Sequence, residues 1–187
     1  AEPHLLVGDE LITVNGNVDL YAVVFNRTTE TDLTEDQLPQ VDIYKYKQVI
    51  FVGDSRTEFM ENVLTGMGES ATKNVKFVCS AGKGLDWFTT TGWAQLYSIV
   101  QHDSNSILSK KTAVIFNFGV NDLSKSADYA EYYNWIAPQL KSKGCELYVM
   151  SVNPVNRLML PNAGRADRSE AAVRSFNQYM KANLSSA

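Results

Sequence analysis

Residues 48–57 read Gln48-Val49-Ile50-Phe51-Val52-Gly53-Asp54-Ser55-Arg56-Thr57, and the fold is decided where that apolar run stops. The run lacks the polar alternation of a half-exposed strand, so it predicts a short strand buried on both faces, as in a parallel sheet. Gly53 and Asp54 then break it. Beyond the break the apolar residues change period, and Phe59, Val63, Leu64 and Met67 make one helical stripe. A buried strand that feeds a helix is the first half of a βαβ unit.

The same alternation repeats downstream. Val75–Cys79, Thr112–Phe118 and Cys145–Ser151 predict three more strands of the same kind. Tyr129, Tyr132, Tyr133, Ile136 and Leu140 recur at spacings of three and four, the period of a helix. A last helix is expected from about Ser169 to Leu184, with Val173, Phe176, Met180 and Leu184 on one face and Asp167 and Glu170 resembling a capping box. Together these elements predict a flavodoxin-like three-layer α/β/α domain over residues 48–187, with a parallel sheet in the order 2-1-3-4. Sheets of this type ordinarily take a fifth strand. None precedes the ending Ser185-Ser186-Ala187, so the domain is expected to be cut short at its C-terminus.

Residues 1–47 have a different character. Leu11–Val14 and Val18–Phe25 are strand-like and flank Asn15-Gly16, which predicts a tight hairpin. The acidic stretch Thr28–Gln40 reads as a linker, so residues 1–47 are expected to form an N-terminal hairpin appendage. The length of 187 residues suits one domain with a small appendage, at ~100 to 200 residues per domain.

Composition excludes several classes of partner. The chain has 17 Lys+Arg against 21 Asp+Glu, a net charge of −4, and no basic block, so no electrostatic footprint for nucleic acid or an anionic membrane surface is present. No apolar run approaches the ~18 to 20 residues of a membrane span, and the chain does not open with a basic-then-apolar signal. Ala1-Glu2-Pro3 would suit a mature N-terminus after signal removal, which inclines the expectation towards a secreted or cell-surface bacterial protein over a cytoplasmic one. Cys79 and Cys145 fall at opposite ends of the predicted sheet and are expected to be buried free thiols. With only His4 and His102 beside them, no metal site and no cofactor is expected.

In an open α/β sheet ligands bind outside the carboxyl ends of the strands. Three segments follow such ends: Gly53-Asp54-Ser55-Arg56-Thr57, Ser80-Ala81-Gly82-Lys83-Gly84 and Gly119-Val120-Asn121-Asp122. In the order 2-1-3 their strands are neighbours, so the loops should share one crevice. Ser55 at a helix start is either a nucleophile, favoured by the free amides and the dipole there, or simply the helix cap. Gly82 and Gly84 allow positive φ and a close backbone approach to a ligand, or make a plain turn. Asn121 offers a side-chain donor suited to an oxyanion, or serves the turn. Trp87, Phe88 and Trp93 form either an aromatic wall for sugar or acyl groups or part of the core. Asp54 and Asp122 could hold Mg²⁺, although aspartates in such loops usually bind their own backbone. The second glycine of a Gly-x-Ser-x-Gly elbow, the dinucleotide fingerprint and the P-loop are all missing.

The combination of Gly53-Asp54-Ser55, a glycine loop and Gly119-Val120-Asn121-Asp122, each after a successive strand, resembles the SGNH hydrolases, the GDSL-type lipase/esterase superfamily, over about residues 46–184. The resemblance implies a serine ester hydrolase with Ser55 as nucleophile. The oxyanion would rest on the backbone amides of Ser55 and Gly84 and on the Asn121 side chain, with Gly82 as the alternative glycine donor. Asp54, Arg56, Gly82 and Asp122 would surround the substrate, the two aspartates as loop architecture. Arg56 stands where the family name has leucine, and either meets an acidic or sugar-bearing substrate or faces solvent. The implied substrate is a small-molecule or glycan ester. The family's general base is a histidine three residues after an aspartate, and no Asp-x-x-His occurs here. His102 belongs at the amino end of the sheet and His4 to the appendage, so the base is expected from polypeptide beyond residue 187 or from a separate fragment. The alternative is a module that binds such a ligand without turning it over.

Overall fold

Four parallel strands, β1 (Tyr46–Gly53), β2 (Val75–Cys79), β3 (Lys111–Asn117) and β4 (Cys145–Val149), lie in the order β2-β1-β3-β4, as the sequence predicts. They come from a computed structural model of the chain that describes residues 46–68, 73–103, 111–154 and 168–185. The chain separates into two compact units, Ala1–Asp32 and Leu33–Ala187, and every described residue belongs to the second. The expected hairpin over Leu11–Val14 and Val18–Phe25, the linker Thr28–Gln40 and His4 lie outside the described residues.

Helix α1 (Ser55–Gly66) follows β1; α2 (Leu85–Trp87) follows β2 and passes through a π turn (Phe88–Gly92) into α3 (Trp93–Asp103). A 3₁₀ turn (Leu123–Lys125) leads from β3 into α4 (Ser126–Ser142), and α5 (Glu170–Asn183) comes after β4. The predicted third strand starts one residue early, at Lys111, and the fourth ends at Val149, short of Ser151. The last helix is capped by Ser169, whose side chain accepts from the Ala172 amide at 3.1 Å, and the expected capping residue Asp167 lies outside the described residues. Among the described residues no helix is long and apolar enough to cross a membrane.

The two faces of the sheet are unlike. Ile50, Val52, Val114 and Phe116 are fully buried in one cluster with Leu96 and Val100 of α3, with Tyr129, Tyr133, Ile136 and Leu140 of α4, and with Val173, Phe176 and Met180 of α5. Phe88 sits at its centre, 5.2 Å from the Phe116 ring and 5.6 Å from that of Phe118, so Phe88 is core, with Trp87 and Trp93 packed against it. Each such side chain contributes about 1.5 to 3 kcal/mol of burial. Neighbouring strand residues point to opposite faces, so Phe77, Phe51, Ile115 and Tyr148, which are register partners, form a row on the other face. That row is half-buried to exposed, which corrects the expectation of strands buried on both sides.

Helix α1 corrects a second expectation. Three of its four predicted stripe residues point outward, with Phe59 70% and Met67 68% exposed and Val63 exposed as well, and only Leu64 faces inward. The docked side is Thr57, Met60, Glu61 and Leu64, which are buried or half-buried. A polar contact sets that rotation: Thr57 Oγ1 accepts from Asn117 Nδ2 at 3.2 Å beneath Gly53, and apolar periodicity carries no trace of it. Cys145 is buried, whereas Cys79 is only half-buried, and no disulfide joins them.

Candidate functional site

The three loops are placed by strand register. Gly53 pairs with Cys79 on one side and Asn117 on the other, so β2, β1 and β3 end at one level and their loops leave side by side. The Ser80 amide donates to Gly53 O at 3.2 Å, continuing the ladder into the second loop.

Below the first loop lies a buried polar floor. Asp54 is 0% exposed and is the cap of α1, accepting from the Arg56 amide at 3.0 Å. Arg56 Nε and Nη2 reach the same carboxylate at 3.0 and 2.9 Å, and Nη2 also donates to Asn117 O at 3.1 Å. A buried carboxylate needs such compensation, because desolvation of an unpaired ion costs several kcal/mol, on the order of what a whole domain can spare. Arg56 is therefore folded back onto its own loop rather than extended into solvent.

Because Asp54 caps the helix, Ser55 does not. Ser55 is the first residue of α1 and is exposed, and its hydroxyl makes no hydrogen bond among the described residues. Its amide is one of the first-turn donors that have no acceptor within the helix.

The second and third loops are latched together. Gly82 takes φ +70°, the conformation its turn requires, and is exposed. Gly84 differs from the expectation of positive φ: it is extended at φ −143°, and what demands glycine there is space, since a Cβ would lie 2.2 Å from Asp122 Oδ2. That carboxylate accepts from the Leu85 amide at 2.9 Å and, through Oδ1, from the Tyr129 hydroxyl at 2.7 Å. Burial, then the nearby Tyr133 and the Asp122 charge, push the Tyr129 hydroxyl far up from its ordinary value, so it remains a donor. Asn121 Nδ2 donates to Lys83 O at 2.8 Å, and Asn121 Oδ1 accepts from Arg168 Nη2 at 2.5 Å.

Gly84 and Asn121 are thus joined through the latch between their loops, and Ser55, with Asp54 and Arg56, leaves the adjacent strand end at the same edge of the sheet. Three contributors were not foreseen. Arg168 comes from the segment ahead of α5, and nothing in its sequence surroundings marks it. Tyr129 read only as part of an apolar stripe. Asn117 did leave a signal, as a polar residue ending the apolar run from Ala113 to Phe116.

Other chemistries fit less well. Both aspartates already have their acceptor positions engaged, one by Arg56 and the other by Leu85 and Tyr129, which opposes a role as Mg²⁺ ligands. Among the described residues no group of three or more His, Cys, Asp or Glu could hold a metal ion. Cys79, near the rim, donates to Glu61 Oε2 at 3.1 Å, and burial together with Glu61 pushes its thiol up to about 12, so it is a thiol and no nucleophile at neutral pH. His102 is the penultimate residue of α3, which leads away from the rim towards the start of β3. A comparison of the chain with protein-family models and with curated proteins finds no match.

Proposed function

We propose that the protein is a serine ester hydrolase of the SGNH type, acting on a small acyl or acetyl ester, esters of carbohydrates included, through an acyl-enzyme on Ser55. One observation carries this reading. A serine hydroxyl stands exposed, with no hydrogen bond among the described residues, at the first position of a helix whose capping is done by its neighbour Asp54, and the two donor-bearing loops that leave the same edge of the sheet are latched to each other. A serine kept out of capping on a crevice rim is available as a nucleophile.

The chemistry follows from the donors. Ser55 Oγ attacks the ester carbonyl carbon as its proton passes to a base, and the carbonyl oxygen becomes an oxyanion. The amides of Ser55 and Gly84 and the second N–H of Asn121 Nδ2 are the donors suited to it, each worth about 2.7 to 4 kcal/mol in the transition state. Collapse expels the alcohol, which takes the proton, and water then releases the acid from Ser55. The base in this reading is a histidine carried by polypeptide outside the described residues.

The test is intact mass spectrometry of the natural gene product before and after a fluorophosphonate probe, with Ser55→Ala as control. An adduct that depends on Ser55, together with Ser55-dependent hydrolysis of acyl esters, supports the proposal. Absence of both overturns it, and saturable binding of an ester ligand without turnover would favour the binding module instead.

A further inference from the structure

An asparagine side chain presents a donor and an acceptor of nearly the same shape, so it serves an oxyanion only if something fixes which end faces the crevice. At Asn121 two neighbours fix it. Arg168 has donors only, and its Nη2 lies 2.5 Å from Asn121 Oδ1; Lys83 O is an acceptor only, and lies 2.8 Å from Nδ2. A flipped amide would set its NH₂ against the guanidinium and its oxygen against a carbonyl oxygen. Both contacts therefore demand the same orientation, and it leaves one N–H of Nδ2 for a ligand.

Arg168 is well suited to that task. It is half-buried, its Nε is enclosed without a hydrogen-bond partner, and it has no carboxylate partner among the described residues. The other described arginines differ, Arg56 being paired with Asp54 and Arg174 with Glu170. The backbone under Arg168 is anchored as well. It immediately precedes the Ser169 cap of α5, and Phe176 of that helix packs 5.5 Å from the Tyr129 ring and over Gly119 of the loop that carries Asn121.

We propose that Arg168 is a positioning residue: its guanidinium locks the Asn121 amide with its donor end towards the crevice, and its charge on Oδ1 polarises that amide into a stronger donor. A charge-assisted bond on one side of an amide strengthens the bond made on the other. The inference rests on the acyl-transfer reading of the site. It differs from a binding role, because Arg168 acts on the transition state through Asn121 and does not touch the substrate.

The experiment compares Arg168→Met, Arg168→Lys, Asn121→Ala, Arg168→Met/Asn121→Ala and Ser55→Ala in the full gene product, with p-nitrophenyl acetate as substrate. Arg168→Met should lower kcat about 10- to 100-fold, the effect of one hydrogen bond to a charged group, and change KM less than about threefold. Arg168→Lys keeps a charged donor and should recover part of the loss. In the Asn121→Ala background the same Arg168→Met change should alter kcat by less than about threefold, since residues acting as a unit are not additive. The Asn121 side-chain amide resonances in ¹⁵N NMR should move in Arg168→Met, which gives a readout independent of turnover. Wild-type kcat in Arg168→Met, an equal loss with and without Asn121, or unmoved amide resonances would overturn the role while Ser55 dependence still stood. Full activity in Ser55→Ala would overturn the site reading and this role with it.

Discussion

The latch between the second and third loops can be broken with one substitution. Asp122→Ala removes the acceptor of the Leu85 amide and of the Tyr129 hydroxyl, bonds of 2.9 and 2.7 Å. Hydrogen bonds to a charged group are worth about 1.5 to 3 kcal/mol each, so the two together bound the loss at about 3 to 6 kcal/mol. Tyr129 is 0% exposed and cannot recover its bond from bulk water, whereas the Leu85 amide adjoins the half-buried Gly84 and is expected to lose less. The expected loss is therefore about 3 to 4 kcal/mol. Tyr129→Phe removes one of the bonds without orphaning a buried donor and should cost about 1 to 1.5 kcal/mol. Asp122→Asn keeps the shape and one acceptor, and Tyr129 can turn its hydroxyl to accept, so it should cost about as little. Urea unfolding with a common m-value measures all three and the double variant Asp122→Ala/Tyr129→Phe. The double variant should fall short of the sum by at least about 1 kcal/mol. Additive losses, or an Asp122→Ala loss below about 1 kcal/mol, would show that the carboxylate does not hold the loops together.

Two further outcomes follow from the same floor and from the far end of the sheet. Ser55→Ala should leave stability within about 0.5 kcal/mol because Ser55 is not the cap, while Asp54→Ala, which uncaps α1 and strands the Arg56 guanidinium, should cost about 3 kcal/mol by thermal or urea unfolding. Glu146 is held down to about 2, from an ordinary 4.5, by its ion pair with Lys111 at 2.6 Å and then by the Tyr46 hydroxyl. Its folded-state value lies below its unfolded one, so its stabilisation is complete above about pH 4.5 and drains away as the pH falls towards 2. Unfolding midpoints for wild type and Glu146→Gln should converge over that window, and parallel midpoints would refute the assignment.

Strand order and the site loops were legible because both rest on short-range patterns. An apolar run broken by glycine or a polar residue marks a strand and its exit, and four such runs with helical stripes between them leave few topologies. What escaped was set by contacts between distant residues. The rotation of α1 is decided by Thr57 meeting Asn117, sixty positions along the chain, and apolar spacing alone selected Phe59, Val63 and Met67, which face outward. Gly84 looked like a turn glycine, yet its need for glycine comes from the Asp122 carboxylate of another loop. Arg168 could not be found at all, because an arginine before a helix is ordinary until the helix is docked and its side chain meets Asn121.

The two aspartates of the site share a logic that also bears on the proposed reaction. Each is one residue away from a group assigned to chemistry, Asp54 before Ser55 and Asp122 after Asn121, and each turns its carboxylate inward to hold the loop that presents its neighbour. Two carboxylates beside a developing oxyanion would oppose it, and the opposition would grow as water is excluded, since charges interact more strongly at low dielectric. Asp54 is neutralised by the Arg56 guanidinium, held at 3.0 and 2.9 Å. Asp122 meets the oriented Tyr129 hydroxyl and Leu85 amide, and Arg168, which has no carboxylate partner among the described residues, stands on the far side of Asn121. In the proposed reaction an arginine at position 56 would favour negative charge at Ser55 by cancelling the charge of the residue that keeps Ser55 out of capping.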